Sequence, residues 1–137
     1  MTDNGLTEEQ IKTWAREQFQ RANKFLAEQG ILYESVFADE CRYLAPFVAM
    51  WKIKALDKKV YWVITGDLPV DVTLFDNAPD AREAIKYFAM HWQLKAANLE
   101  ISNTENDASQ TKYIELLRTK GEQLYAVQEN DSLWENK

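Results

Sequence analysis

Apolar positions along this chain follow two periods, and the points where one gives way to the other mark out the elements. From Thr7 the period is helical: Ile11, Trp14, Ala15, Phe19, Ala22, Phe25 and Leu26 share one stripe, while Arg16, Glu17, Gln20, Lys24 and Glu28 take the other side. Thr7 followed by Gln10 forms a capping box and Gly30 supplies a stop, so the pattern predicts a helix over 7–29. Residues 31–44 carry both signals. Ile31-Leu32-Tyr33 suits a strand, whereas Phe37, Cys41 and Leu44 recur at helical intervals, and the structure of this stretch stays open.

From Phe47 the period shortens. Phe47 to Ala55 and Val60 to Thr65 are rich in β-branched and aromatic residues and flank the turn-forming Asp57-Lys58, which predicts a hairpin over 47–65. A loop of two or of four residues sets Ile53 opposite Trp62 and Trp51 opposite Ile64. One face then carries Phe47, Ala49, Trp51, Ile53, Trp62 and Ile64 as core. The other carries Val48, Met50, Lys52, Lys54, Tyr61, Val63 and Thr65 and is expected to be partly wet. A turn at Gly66-Asp67-Leu68-Pro69 leads to a third strand over 70–75, where Val70, Val72 and Leu74 alternate with Asp71 and Thr73.

Pro79 opens a second helix over 79–100, because a first-turn proline gives up a backbone donor that has no helical partner anyway. Its main stripe is Ala81, Ala84, Ile85, Phe88, Trp92 and Leu99, and nearly opposite lies a second one, Tyr87, Met90, Leu94 and Ala97. After a polar linker, a third helix over 109–127 carries Tyr113, Leu116, Leu117, Leu124 and Val127 on one side, with Gly121 interrupting it, and is the expected cover for that second stripe. The expected fold is α+β, a small antiparallel sheet of about three strands (hairpin 47–65 plus 70–75) packed against three helices. With 137 residues and 46% apolar content, a single domain over 1–137 is expected. Its ends should fray at about 1–6 and 128–137, with Leu133 and Trp134 available to dock back.

Charge and composition narrow the chemistry. Twenty-two acidic against sixteen basic side chains give a net charge of -6, which repels a phosphate backbone. Lys52, Lys54, Lys58 and Lys59 form the densest basic cluster, and strand alternation plus a hairpin tip account for it, so no nucleic-acid partner is expected. No membrane partner is expected either, since no apolar run reaches a bilayer span. The residues Met1 to Gly5 lack the basic and apolar segments of a secretory signal, which points to a cytoplasmic location. One cysteine and one histidine do not make a transition-metal site. His91 reads as a boundary residue on the flank of the second helix and Cys41 as a half-buried thiol. With no phosphate-binding glycine loop and no serine-nucleophile elbow, no catalytic residue, cofactor or metal ligand is assigned.

The candidate polar cluster is Glu40, Arg42 and Tyr43, just before the best strand, together with Asp67. Arg42 paired with Glu40 or Asp67 would be a buried staple; left open, it would be an anion site.

Three segments together, Arg42-Tyr43-Leu44-Ala45-Pro46-Phe47-Val48-Ala49-Met50-Trp51-Lys52, Trp62 to Pro69, and Ala81-Arg82-Glu83-Ala84 continuing through Phe88 to Lys95, resemble a bacterial family known only as a domain of unknown function, number 4826. The resemblance implies a compact bacterial cytoplasmic protein and brings no activity, cofactor or catalytic residue. The leading expectation is a non-enzymatic, acidic protein-interaction or regulatory module, pairing with a protein partner or with itself. Its surface would be Tyr87, Met90 and Leu94 or, should the third helix cover these, the sheet face around Met50, Tyr61 and Val63. The alternative is a small-molecule or anion-binding protein or enzyme, with a pocket around Arg42 and Asp67.

Overall fold

A computed structural model describes residues 5–103 and 107–134. Its main elements are α1 (Glu8–Glu28), β1 (Tyr33–Val36), β2 (Arg42–Leu44), β3 (Val48–Ala55), β4 (Val60–Gly66), β5 (Asp71–Leu74), α2 (Ala81–Ser102) and α3 (Ala108–Glu129). Short 3-10 turns occupy Ala38–Glu40, Phe75–Asn77 and Asp131–Leu133. The class is α+β, with an antiparallel sheet of five strands rather than about three. The chain divides into two compact units at Ala81, the first holding α1 and the sheet and the second α2 and α3.

Helix α1 is closed at both ends by its own sequence. Thr7 N–H donates to Gln10 Oε1 at 2.9 Å and Gln10 N–H to Thr7 Oγ1 at 3.1 Å, the reciprocal box. At the far end Gly30 takes φ 80°, while its N–H donates to Ala27 O and that of Ile31 to Leu26 O. That is the Schellman arrangement, which a left-handed glycine permits at little cost.

The extra strands come from residues 31–44. Both lie on one edge of β3: β1 pairs Tyr33 with Ala55 and Val36 with Ile53, and β2 pairs Arg42 with Met50 and Leu44 with Val48. The turn Ala38–Glu40 between them produces the mixed apolar spacing.

The hairpin register differs by one residue from the expected one. Trp51 faces Val63 and Ile53 faces Tyr61, because Ala55 N–H donates to Lys59 O at 3.0 Å and the loop is the odd-numbered Leu56-Asp57-Lys58. Lys58 takes φ 72° as its third residue, and Asp57 holds the loop shut by accepting from Lys59 N–H at 2.8 Å and Tyr61 O–H at 2.7 Å. A slip of one moves every β4 side chain to the opposite face. Ala49, Trp51, Ile53, Ala55, Tyr61 and Val63 therefore form a core with Ala22 and Leu26 of α1. The second face is not wet: Val48, Met50, Trp62 and Ile64 are buried too. Met50, Tyr61 and Val63 thus lie on different faces, all buried, and cannot present a surface. In β5, Val72 is half-buried but Leu74 is exposed, so the expected buried side covers only part of that strand.

In the second unit α3 lies against α2 where Gly121 meets the carbonyl of Ala89 and the side chain of Gln93. Gln93 Nε2 donates to Arg118 O at 3.2 Å. The buried line of α3 is Ile114, Leu117, Gly121 and Leu124; Tyr113 and Leu116 are exposed, the Tyr113 ring lying 5.6 Å from the Lys95 ammonium of α2. Residues 128–134 complete α3 and the following turn, with Trp134 Nε1 donating to Val127 O at 3.1 Å, while 1–4 and 135–137 lie outside the described residues.

Candidate functional site

Glu40, Arg42 and Tyr43 of the polar cluster each contact different groups. Glu40 accepts from Lys52 Nζ at 2.6 Å. Arg42 is exposed and donates from Nη1 to the carbonyls of Asp39, at 3.1 Å, and Cys41, at 2.9 Å. Tyr43 sends its ring to Trp14 and Trp51, each at 6.1 Å between centroids. Asp67 is exposed just after β4, its N–H donating to Phe47 O at 2.8 Å.

Lys52 belongs to a cage that the sequence does not announce. Its ammonium lies 4.7 Å from the ring centre of Phe37 and 4.2 Å from that of Phe75, and Phe75 in turn stacks obliquely on Trp62 at 6.0 Å. A cation between two aromatic faces, neutralised by one carboxylate, satisfies the rule that buried charge must be paired. Glu40 lies in the stretch 31–44, whose structure the sequence left open, and Lys52 in the hairpin after it.

Cys41 adjoins this cage. Its thiol donates to Phe37 O at 3.4 Å and accepts from Lys52 N–H at 3.3 Å. Burial pushes the thiol above its ordinary pKa, the reverse of what an activated nucleophile needs. Among the described residues, no group of three or more His, Cys, Asp or Glu is arranged to hold a metal ion. No described helix is long and apolar enough to cross a membrane.

A ring ladder runs through the first unit. Trp14 meets Tyr43, Tyr43 meets Trp51, Trp51 meets Phe19 at 5.3 Å, and Phe19 meets Tyr33 at 5.7 Å. Such offset and tilted contacts are each worth about 0.5–1.5 kcal/mol beyond area burial. At the Trp14 end the ladder stops beside an open groove of about 320 Å³, whose apolar wall is Leu6, Trp14 and Pro46 and whose carboxylates are Glu9 and Glu17.

Helix α2 carries the other notable surface. Its buried residues are Ala84, Ile85, Phe88, Ala89, Trp92 and Ala96. On the opposite side Met90 is 51% exposed, Leu94 61% and Ile101 78%, with Tyr87 and Ala97 half-buried on the same line. Helix α3 approaches through Ala89 and Gln93, so it leaves Met90 and Leu94 open. Tyr87 stacks on exposed His91 at 5.7 Å and 9° between planes, which stiffens one end of the stripe. Continuing the spacing one step past Ala97 reaches Ile101, a stripe member that sequence reasoning placed in the linker.

No curated protein and no solved structure matches the chain. The family model described as Domain of unknown function (DUF4826) matches residues 8–134, an interval that includes α1, the whole sheet, α2 and α3. The chain belongs to that family.

Proposed function

We propose that the protein is a non-enzymatic interaction module that pairs with a second copy of itself along the outer face of α2. The observation that carries this reading is the exposure of Met90, Leu94 and Ile101 on one line of α2, opposite its buried side. Tyr87, Met90, Leu94, Ala97 and Ile101 recur at alternating spacings of three and four, the period of a coiled-coil seam. The seam is self-complementary. In the antiparallel register that sets Leu94 against the other copy's Met90, the large Tyr87 ring meets the small Ala97, and Lys86 comes alongside Glu100. A two-fold pairing of this kind covers Met90 and Leu94 at once.

The alternative, an anion or small-molecule pocket at Arg42 and Asp67, draws less support, since Arg42 already gives hydrogen bonds to two backbone carbonyls. Sedimentation velocity across a range of concentrations tests the pairing. We expect a monomer–dimer equilibrium for the natural sequence and a monomer at all concentrations for Leu94→Glu, with unchanged helical circular dichroism. A natural chain that stays monomeric at about 100 μM, well above the range of a specific homodimer, would remove the proposal.

A further inference from the structure

The groove beside Trp14 has a composition that selects one kind of occupant. The residues that line it combine apolar surface with acidic side chains, Leu6, Trp14 and Pro46 together with Glu9 and Glu17, and include no lysine or arginine. Among the described residues neither Glu9 nor Glu17 has an ion-pair partner. Gln10, which also lines the groove, is committed to the capping box and cannot turn to meet a ligand.

The Trp14 ring meets that of Tyr43, and Tyr43 in turn meets Trp51. An aromatic face carries partial negative charge, and an indole in a groove that two carboxylate residues also line attracts a cation that has an apolar stem. Lysine and arginine side chains have that form. The charge of the whole molecule, -6, adds a long-range attraction of the same sign.

We infer that this groove receives a lysine or arginine side chain from a basic segment of a partner protein. The stem would lie along Leu6, Trp14 and Pro46 while the head sits between Glu9 and Glu17. A free small amine fits the observations less well. The groove is open to solvent, whereas sites for small ligands enclose most of the ligand's surface. A side chain tethered to a segment crossing the exposed first turns of α1 gains further contacts beyond the groove. The site lies in the first unit and is independent of pairing along α2.

The test is a nitrogen-proton NMR titration that follows the Trp14 indole N–H, assigned by its loss in Trp14→Phe. Hexa-arginine is the probe, with hexa-glutamate and agmatine as comparison ligands. We expect hexa-arginine to shift the Trp14 signal saturably, at an affinity that falls as salt is added, and hexa-glutamate to leave it in place. The double variant Glu9→Gln with Glu17→Gln should weaken binding by about threefold or more, as loss of two solvent-exposed charge contacts implies. The control Glu8→Gln with Glu28→Gln makes the same change in net charge away from the groove and should bind like the natural protein.

The proposal is overturned if the Trp14 signal stays still up to about 5 mM peptide, beyond any specific affinity. It is equally overturned if both double variants weaken binding alike, since net charge then explains everything. Agmatine binding as tightly as hexa-arginine would assign the groove to a small amine and overturn the partner-segment reading.

Discussion

The β3–β4 hairpin and the α2–α3 pair are both rich in apolar residues at regular spacing, yet they finish their surfaces in opposite ways. In the hairpin both faces are buried, and the polar atoms carried inside have partners. Trp51 Nε1 donates to Thr65 Oγ1 at 3.0 Å, Trp62 Nε1 donates to Ala78 O at 2.9 Å, and Lys52 meets Glu40. In α2 the buried side is equally complete, but Met90, Leu94 and Ile101 stay in water and carry no polar obligation. Closed apolar surface with satisfied polar atoms supports the fold, whereas open apolar surface on a regular seam supports association. Substitutions in the hairpin should therefore act on stability, and those on the α2 stripe on oligomeric state.

The largest expected effect belongs to Gly66, at the end of β4. Its φ is 130°, and a Cβ there would lie 2.2 Å from the Phe47 carbonyl oxygen, which is backbone and cannot swing aside. The same corner receives Arg21, whose Nη1 donates to Gly66 O at 2.9 Å. Gly66→Ala should cost more than about 3 kcal/mol in urea unfolding, combining backbone strain with a forced separation of strands. A loss below about 1 kcal/mol would mean that the hairpin end yields easily, and the contrast with the helical unit would lose its basis.

Next comes the cage around Lys52. Glu40→Ala leaves the lysine charge between Phe37 and Phe75 without its carboxylate. Glu40 is half-exposed, so water replaces part of the lost interaction and the cost should be about 1–2 kcal/mol. Lys52→Met removes the charge and keeps the stem against the rings, so it should cost less than about 1 kcal/mol. If Lys52→Met proved the more damaging of the two, the ammonium itself would be doing something that packing and pairing do not explain.

How much of this was legible depends on whether the deciding contact is local. Helix α1 could be read to both ends because Thr7, Gln10 and Gly30 act within a few residues of themselves. The hairpin could be located but not registered, since a lysine at φ 72° is what makes the loop odd, and lysine carries none of the glycine or asparagine signal for that conformation. Strands β1 and β2 were unreadable because they depend on β3 for partners and hold only four and three residues. The two apolar faces of α2 were plain from periodicity. Where α3 meets α2 was not plain: Gly121 approaches at Ala89 and Gln93, which belong to neither stripe. Glu40 has its partner Lys52 twelve positions away, set by strand pairing rather than by adjacency.

The smallest expected effect lies in the helical unit, where Arg118 forms a two-pronged contact with Glu100, Nη2 to Oε1 at 2.6 Å and Nη1 to Oε2 at 3.4 Å. The hydrogen bond from Arg118 holds the Glu100 carboxyl below its ordinary value of 4.5, and the same contact raises the arginine. A carboxyl whose folded pKa is depressed contributes stability that is present above its unfolded value and is lost as pH falls through the folded one. The natural protein should therefore exceed Glu100→Gln slightly in stability at neutral pH, and the two should converge as the pH drops below 4.5. Because the pair is exposed, high salt should shrink the difference, and carbon NMR of the Glu100 carboxyl should show its titration moving back up in Arg118→Met. Glu100 also flanks the proposed seam beside the partner copy's Lys86, which gives the measurement a second use. A carboxyl pKa that falls further as protein concentration rises places that lysine at the contact, whereas one independent of concentration across the dimer transition removes Glu100 from it.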